Sequence, residues 1–226
     1  MRYENTVKAK FISRPNRFVA QVDMNGRIET VHVKNTSRCR ELLLPGSEVV
    51  LNKSDKKGRK TKYDLIAVYK QNLGWVNIDS QAPNQAVREW LKGRPAPFQK
   101  AERIQPEYTY GKSRVDFYLE APDRKILMEV KGCTLEVDGI GYFPDAPTER
   151  GVKHLRELTA AAQEGYECYI AFLIAMPGVR QVFPNTEMHP EFGAALSEAR
   201  AAGVKTLYLI CEVKPDSLSI TESIEV

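Results

Sequence analysis

The chain has 226 residues, of which 42% are hydrophobic and 27% charged, and its net charge is +4 with a pI near 8.8. This composition excludes disordered and fibrous chains and suffices for one good hydrophobic core or two small ones. The most continuous apolar run, residues 169–176, is far shorter than the roughly 20 residues that a membrane-spanning helix needs. No apolar stretch of the signal-peptide kind follows the mixed-charge N-terminus. We therefore expect a cytoplasmic protein with no membrane partner, and the mild basic excess favours polyanionic partners.

Short alternating segments fill the N-terminal part of the chain. Turn residues separate them, among them Asn25-Gly26, the strongest short hairpin signal. Several short strands in so short a stretch predict a small closed barrel, and the pattern alone is compatible with an OB-like or an SH3-like barrel. The predicted strands are residues 7–12, 17–24, 27–33, 48–51 and 63–69.

The densest basic run of the chain precedes the last of these strands, and Gly58 marks it as a hairpin loop. Basic loops on small barrels track nucleic-acid backbones, and Tyr63, Tyr69 and Trp75 are close enough in sequence to supply stacking surfaces. An ordinary solvated loop is the alternative. The basic residues are Lys53, Lys56, Lys57, Arg59, Lys60 and Lys62, and Arg14, Arg17, Arg38 and Arg40 add charge in the same domain.

The periodicity changes after the barrel segments. Residues 83–92 predict a short helix that ends at Gly93, and the Pro-rich residues 94–97 form a stiff connection. We therefore divide the chain into an N-terminal domain, residues 1–80, and a C-terminal domain, residues 81–226.

The C-terminal domain reads as strand, strand, loop, helix, strand, helix, strand. Thr148 is a good N-cap and Gly165 a good C′ residue for the first of these helices, whose Val152, Leu155, Leu158 and Ala162 form an apolar stripe. Strands at 166–175 and 205–213 flank a helix at 191–202, and this order implies a parallel crossover. The sequence thus predicts a mixed α/β fold.

Two adjacent strands of this domain carry the residues that indicate chemistry. In a symmetric hairpin about Pro122-Asp123, Glu120 pairs with Lys125, and therefore Asp116 pairs with Glu129. Carboxylates that face each other repel unless a cation lies between them. This arrangement predicts a metal-dependent nuclease site.

Lys131 completes the pattern because it shares a strand face with Glu129. The alternative is an ordinary edge hairpin whose charges pair in solvent. Ile126, Met128 and Val130 give the second strand an apolar face, so we expect it to be central, where charges need partners or a metal.

At these residues the chain resembles the sugar fermentation stimulation protein A family, whose C-terminal half belongs to the PD-(D/E)XK nuclease superfamily. The resemblance covers nearly the whole chain, and it implies an OB-like N-terminal domain and a restriction-endonuclease-like C-terminal domain. Two positions depart from the family's pattern: Ser37 stands where glycine is common and Cys133 where serine is common. The resemblance rests on Asn35, Thr36, Arg38, Glu107 and residues 113–117, 129–131, 142–151 and 153–155.

Hydrolysis of a phosphodiester needs a cation that neutralises the phosphate and activates water. Asp116 and Glu129 offer the hard oxygen ligands that suit Mg²⁺ or Mn²⁺, and Lys131 would orient or deprotonate the attacking water. The resemblance implies two further metal contacts, the carbonyl of Val130 and the carboxylate of Glu107. The expected catalytic residues are therefore Asp116, Glu129, Lys131 and Glu107.

Arg150, Lys153 and His154 lie in the first turns of the helix that begins after Thr148. Helix N-termini are natural phosphate sites, so we expect these side chains to hold the scissile strand. An ordinary charged helix face is the alternative. His154 has no partner at zinc-binding spacing and is not expected to be a metal ligand. The four cysteines, Cys39, Cys133, Cys168 and Cys211, likewise have no zinc spacing and are expected to be reduced.

These observations predict a DNA-binding protein with metal-dependent nuclease activity. The family's name points to a rival, a transcriptional regulator of sugar (maltose) metabolism that binds DNA without cutting it. A third alternative is an RNA-processing enzyme, since the chemistry is the same. A pure binder does not require opposed carboxylates, which repel phosphate. The expected partner is DNA, with RNA as the alternative, and a homodimer is compatible with the sequence.

Overall fold

Fifteen β-strands and three α-helices form in the computed structural model, which describes residues 1–35, 37–55, 58–111 and 113–226. Thr36, one of the residues that carry the family resemblance, lies outside the described residues. The strands are β1 (Thr6–Asn16), β2 (Val19–Met24), β3 (Arg27–Val33), β4 (Glu48–Lys53), β5 (Tyr63–Lys70), β6 (Gly74–Asn77), β7 (Arg103–Tyr110), β8 (Ser113–Ala121), β9 (Arg124–Cys133), β10 (Leu135–Val137), β11 (Ile140–Phe143), β12 (Glu167–Ile174), β13 (Val182–Pro184), β14 (Lys205–Lys214) and β15 (Ser217–Glu225). The helices are α1 (Ala82–Lys92), α2 (Glu149–Gln163) and α3 (Pro190–Ala201).

The first five strands form a closed barrel. Antiparallel pairs join β3 to β2, β2 to β1, β1 to β4 and β4 to β5, and a parallel pairing of β3 with β5 closes the ring. Asn25 and Gly26 both have positive φ, 56° and 84°, as a two-residue hairpin turn requires. The barrel is OB-like, so the prediction of an OB-like N-terminal domain is confirmed.

The barrel sheet continues into a strand that the sequence did not predict. β6 pairs with the end of β5, and its last residue reaches the second domain, where the backbone N–H of Asn77 donates to the carbonyl of Ala175 at 2.9 Å. The 39–41 segment of the barrel domain also contacts the second domain, since the N–H of Cys39 donates to Asp145 Oδ2 at 3.0 Å. These contacts hold the barrel beside the loop that precedes α2.

The C-terminal domain is built on a six-stranded mixed sheet in the order β15-β14-β12-β9-β8-β7. β12 pairs in parallel with β9 and with β14, while the outer pairs are antiparallel. The expected parallel crossover and the central position of β9 are therefore confirmed. A mixed α/β fold of this kind was the predicted class.

Helices cover both faces of this sheet. α2 and α3 pack on one face through residues such as Leu155 and Phe192, and α1 packs on the other through Val87 and Leu91. Strands covered on both sides read as continuous apolar runs, which explains the run at residues 169–176. Within the described part of the chain, no helix is long and apolar enough to cross a membrane.

The predicted caps of α2 are confirmed. The Thr148 hydroxyl accepts a hydrogen bond from the N–H of Gly151 at 3.0 Å, and Gly165 follows the helix with φ of +92°. The apolar stripe is slightly different from the prediction, because Ala161 is fully buried while Ala162 is only partly so. All four cysteines are free and buried.

Several short or marginal strands were missed. β10 and β11 lie in the stretch before α2 that the sequence read as a loop, and they form a separate three-stranded sheet with β13, which lies between β12 and α3. β7 and β15, the two edge strands of the main sheet, were also unpredicted. Edge strands bury fewer side chains, so their apolar pattern is weak.

Candidate active site

The β8–β9 hairpin has the register that the sequence predicts. Glu120 lies opposite Lys125, and the last bridged pair at the other end is Phe117 with Met128. Asp116 is the next residue along β8, and its Oδ2 accepts a hydrogen bond from the backbone N–H of Val130 at 2.8 Å. The side chain of Asp116 therefore lies beside the segment that carries Glu129 and Lys131.

Glu129 is a buried carboxylate, only 2% exposed. Its Oε1 accepts a hydrogen bond from Lys131 Nζ at 2.7 Å and also contacts Nδ1 of His154. Burial by itself acts to raise the pKa of Glu129, but the hydrogen bond from His154 and the charge of Lys131 outweigh it, so the pKa lies below its ordinary value. Among the described residues, Oε2 of Glu129 has no hydrogen-bond partner although it is buried.

His154 is held between Arg150 and Glu129 and is buried. Arg150 Nε donates to His154 Nε2 at 3.2 Å, so Nε2 is the acceptor nitrogen of the ring and Nδ1 carries the proton that faces Glu129. Lys131 Nζ lies 3.3 Å from the same Nδ1. Because the lysine ammonium and the Nδ1–H are both donors, this contact is not a hydrogen bond. We expected His154 to contact phosphate, but both of its ring nitrogens face protein groups, Arg150 and Glu129.

The burial of His154 has a sequence signal that was overlooked. Residues 151, 154, 155 and 158 follow the i, i+3, i+4, i+7 spacing of a helix face, and all four are buried in α2. A histidine on an apolar stripe is placed toward the sheet, where Glu129 lies. The charged face of α2 is instead represented by Arg150 and Lys153, which are exposed.

Asp116 receives a second hydrogen bond from the other side of the sheet. Asn84 Nδ2, at the start of α1, donates to Asp116 Oδ1 at 2.7 Å. Burial, and next the charge of Glu129, raise the pKa of Asp116 above its ordinary value. Asn84 was missed because it lies 32 residues away from Asp116, and nothing in its own segment indicates this contact.

Glu107 lies across from Asp116 on β7, since the flanking pairs are Pro106 with Phe117 and Tyr108 with Val115. The backbone of Glu107 is left-handed, with φ of 51°, and the residue is exposed. Its carboxylate pairs with Arg114 at 3.1 Å. Glu107 and Asp116, together with Asn84, Arg88 and Lys92 of α1, line a cleft of about 720 Å³, here named the α1 cleft.

A second, smaller cleft of about 360 Å³ opens on the α2 side and is here named the α2 cleft. Arg150 and Lys153 line it, as do Arg114 and His154. Lys153 lies 3.6 Å from Glu157, one helical turn further along α2. The three predicted phosphate-binding side chains of α2, Arg150, Lys153 and His154, thus line one opening next to Glu129 and Lys131.

The donor set can be compared with what a divalent cation requires. No group of three or more His, Cys, Asp or Glu side chains is arranged around a metal position in the described residues, so Glu107 does not join Asp116 and Glu129 in a preformed three-carboxylate site. Magnesium commonly binds through one or two carboxylates and keeps several waters. Asp116 and the unpartnered Oε2 of Glu129 offer two carboxylates, which fits that requirement.

In the basic loop of the barrel, some residues are exposed and one pairs with a neighbouring carboxylate. Arg59 is engaged, because its guanidinium pairs with Asp64 at 2.5 and 3.1 Å. The pKa of Asp64 is lower than ordinary: burial acts to raise it, but the hydrogen bonds from Arg59 and His32 outweigh that effect. Lys56 and Lys57 lie outside the described residues. The exposed basic residues among those described are Lys53, Lys60 and Lys62 of the loop, and Arg17, Arg38 and Arg40 elsewhere in the same domain.

Two family models match the chain. One, described as the sugar fermentation stimulation protein RE domain, matches residues 81–217, and one described as the SfsA N-terminal OB domain matches residues 12–78. The chain is 52% identical over 226 residues to a sugar fermentation stimulation protein homolog of Desulfitobacterium hafniense, covering 100% of this chain and 98% of the relative. It is 49% identical over 227 residues to a homolog of the same name from Clostridium beijerinckii, covering 100% and 99%.

A solved structure has the same fold. The structure of Pyrococcus furiosus SfsA in complex with Ca²⁺ superposes with a TM-score of 0.87 at 28% sequence identity, covering 99% of this chain and 96% of that chain. The similarity therefore extends over both domains.

Proposed function

Because the chain belongs to the sugar fermentation stimulation protein family, we propose that it binds nucleic acid and hydrolyses its phosphodiester bonds with a divalent metal ion. The observation that carries this proposal is the convergence of Asp116, Glu129 and Lys131 at one end of the β8–β9 hairpin. A protein that only binds nucleic acid gains nothing from two recessed carboxylates at its phosphate-facing surface, because they repel the backbone.

Asp116, Glu129 and the Val130 carbonyl would hold the metal ion, for which Mg²⁺ and Mn²⁺ are the candidates. The bound ion would neutralise the phosphate and lower the pKa of a bound water. Two observations support this role. The pKa of Asp116 is raised, and a nearby cation would stabilise its charged form. Oε2 of Glu129 is buried without a hydrogen-bond partner, and a cation would give this oxygen a partner. The relative from Pyrococcus furiosus was solved with Ca²⁺, another hard cation that prefers oxygen ligands.

Lys131 has the position of a group that acts on the reacting atoms. Its ammonium is held by Glu129 Oε1 at 2.7 Å, in a salt bridge that fixes the position of Nζ. A charged lysine can donate hydrogen bonds to the attacking water and to the phosphate oxygen that gains charge. His154, which accepts a hydrogen bond from Arg150, holds Glu129 in place.

The names of the relatives favour a second candidate function, a regulator of sugar metabolism that binds DNA without cutting it. Exposed cations on the barrel, Lys53, Lys60, Lys62 and Arg38, serve either candidate, since contacts to phosphates position a polymer without reading its sequence. The site in the C-terminal domain is what separates the two functions.

The test is incubation of the full chain with labelled single- and double-stranded DNA and RNA, in Mg²⁺, Mn²⁺ or EDTA. We expect cleavage of at least one of these polymers in Mg²⁺ or Mn²⁺, no cleavage in EDTA, and no cleavage by Asp116→Asn. If no polymer is cut under any of these conditions while DNA is still bound, the nuclease proposal is wrong and the regulator remains.

A further inference from the structure

The α1 cleft opens beside Asp116, and α1 forms one of its walls. The cleft has a volume of about 720 Å³, and Asp116 stands in the wall opposite α1. Clefts of this volume are typical of sites that enclose a small organic ligand or a segment of a larger one.

Three polar side chains of α1 line the cleft in a row. Asn84, Arg88 and Lys92 are spaced four residues apart, so they lie on one face of the helix, with about 6 Å of helix axis between neighbours. The row begins at the catalytic site, because Asn84 donates to Asp116. It then extends about 12 Å along the helix axis through the two cationic side chains. The two cationic side chains of this row therefore lead away from Asp116 along one wall of the cleft.

Both cations of this row are free to bind. Arg88 and Lys92 are exposed, and in the part of the chain that the structure describes neither forms an ion pair. Two further carboxylates, Glu89 and Glu107, also line the cleft. Glu107 pairs with Arg114, and Glu89 pairs with the N-terminal ammonium of Met1. In the described part of the chain, neither carboxylate pairs with Arg88 or Lys92. In the α2 cleft, by contrast, Lys153 lies near Glu157 and Arg114 pairs with Glu107.

The depth of the carboxylates limits what can enter. Asp116 is half-buried and Glu129 is 2% exposed, so the scissile phosphate has to move into the protein to reach them. A base-paired duplex holds its two backbones apart on its outer surface, whereas one unpaired strand can bend into a cleft of this size. We infer that the α1 cleft binds one strand of a single-stranded nucleic acid beside the scissile phosphate, with Arg88 and Lys92 on successive phosphates. This inference rests on the proposed nuclease function, which places the scissile phosphate of the bound strand at Asp116.

The test compares the double variant Arg88→Ala/Lys92→Ala with wild type. Alanine is the best helix former, so α1 is expected to remain folded, which thermal melting checks. Lys100→Ala/Lys125→Ala is the matched control, because both lysines are exposed and lie toward the turn end of the β8–β9 hairpin, away from Asp116. Binding of a short labelled single-stranded DNA, a single-stranded RNA of the same sequence and the corresponding DNA duplex is measured in EDTA over a range of salt concentrations, and cleavage is measured in Mg²⁺.

We expect the log–log salt slope for both single strands to decrease by roughly 1.4 in the cleft variant, from two lost contacts at roughly 0.7 each, and to remain unchanged in the control. The KM for single-stranded substrate should rise in the cleft variant. If wild type cleaves but slope and KM are the same in the cleft variant, the inference is wrong and the nuclease proposal stands. If wild type never cleaves but the slope still falls, the cleft binds a strand and the nuclease proposal is wrong. A slope that decreases equally for the duplex overturns the single-strand assignment.

Discussion

Pro83 of α1 packs over Gly132 of β9 so closely that a Cβ atom at position 132 would lie 2.8 Å from Pro83 Cγ. Because position 132 has no side chain, the first turn of α1 can approach the sheet next to Lys131. That approach brings Asn84, the residue after Pro83, within 2.7 Å of Asp116 Oδ1. A glycine and a proline thus set the distance between α1 and the Asp116 carboxylate.

Gly132→Ala is expected to lower the free energy of unfolding by about 1 to 3 kcal/mol, because the added methyl group overpacks the contact with Pro83. The same change in a Pro83→Ala background should cost far less, since the atom that remains nearby, Pro83 Cβ, is 3.8 Å from the position of the new Cβ. Urea denaturation of the four proteins in this double-mutant cycle measures the difference. An equal cost in both backgrounds would show that the contact with Pro83 is not the cause.

Asp116→Asn and Glu129→Gln are expected to have opposite effects on the metal-free protein. Asp116→Asn removes a repulsion and should leave the free energy of unfolding unchanged or raise it by up to about 1 kcal/mol. Glu129→Gln should lower it by about 1 to 3 kcal/mol, because Lys131 and His154 lose a charged acceptor. Urea denaturation in EDTA measures both values. In Mn²⁺, neither variant should show the thermal stabilisation of wild type.

Lys131→Ala is expected to separate metal binding from catalysis. Loss of the ammonium leaves the carboxylates in place, so the thermal stabilisation by Mn²⁺ should survive or increase. Cleavage should fall by roughly two or more orders of magnitude, as expected for a group that acts in proton transfer or charge stabilisation. Lys125→Ala, at the other end of the same strand, should change neither quantity. Normal cleavage by Lys131→Ala would remove this residue from the reaction.

His154→Ala and Lys153→Ala test which side chains of α2 face the polymer. His154 holds Glu129, so its loss should weaken Mn²⁺ binding or cleavage by roughly 10- to 100-fold, as is typical of groups that orient a ligand. The salt dependence of DNA binding should remain that of wild type. Lys153→Ala should leave Mn²⁺ binding unchanged. It should instead reduce the log–log salt slope of DNA binding by roughly 0.7 to 0.9, from one lost phosphate contact. If His154→Ala also reduces the slope, the histidine contacts phosphate.

Arg59→Ala is expected to destabilise the barrel rather than to weaken DNA binding alone. The pKa of Asp64 is lower in the folded protein than in the unfolded chain, so its contribution to stability is present above about pH 4 and is lost as the pH falls through the folded pKa. The free energy of unfolding should therefore differ between wild type and Arg59→Ala by about 1 to 3 kcal/mol at neutral pH, and by less at pH 3. Arg27→Ala, at an exposed position of the same barrel, is the control. A difference that stays constant from pH 7 to pH 3 would contradict the role of Asp64.

The local parts of this protein were readable from the sequence. The register of the β8–β9 hairpin follows from a turn at Pro122-Asp123 and from the two-residue repeat of a strand, so Glu120 and Lys125 were paired correctly. The start and end of α2 follow from Thr148 and Gly165. Turn length, strand alternation and helix caps are all interactions between near neighbours, and the pattern of residues records them directly.

The tertiary structure decided which distant groups surround the hairpin. Asn84 reaches Asp116 across 32 residues, and His154 reaches Glu129 across 25. In the barrel, His32 reaches Asp64 across 32 residues because β3 pairs with β5. Such contacts are set by the packing of one element on another, and the approach of α1 depends on a single missing Cβ at Gly132. Periodicity reports which face of an element is buried, but it carries no information about which residue lies on the other side.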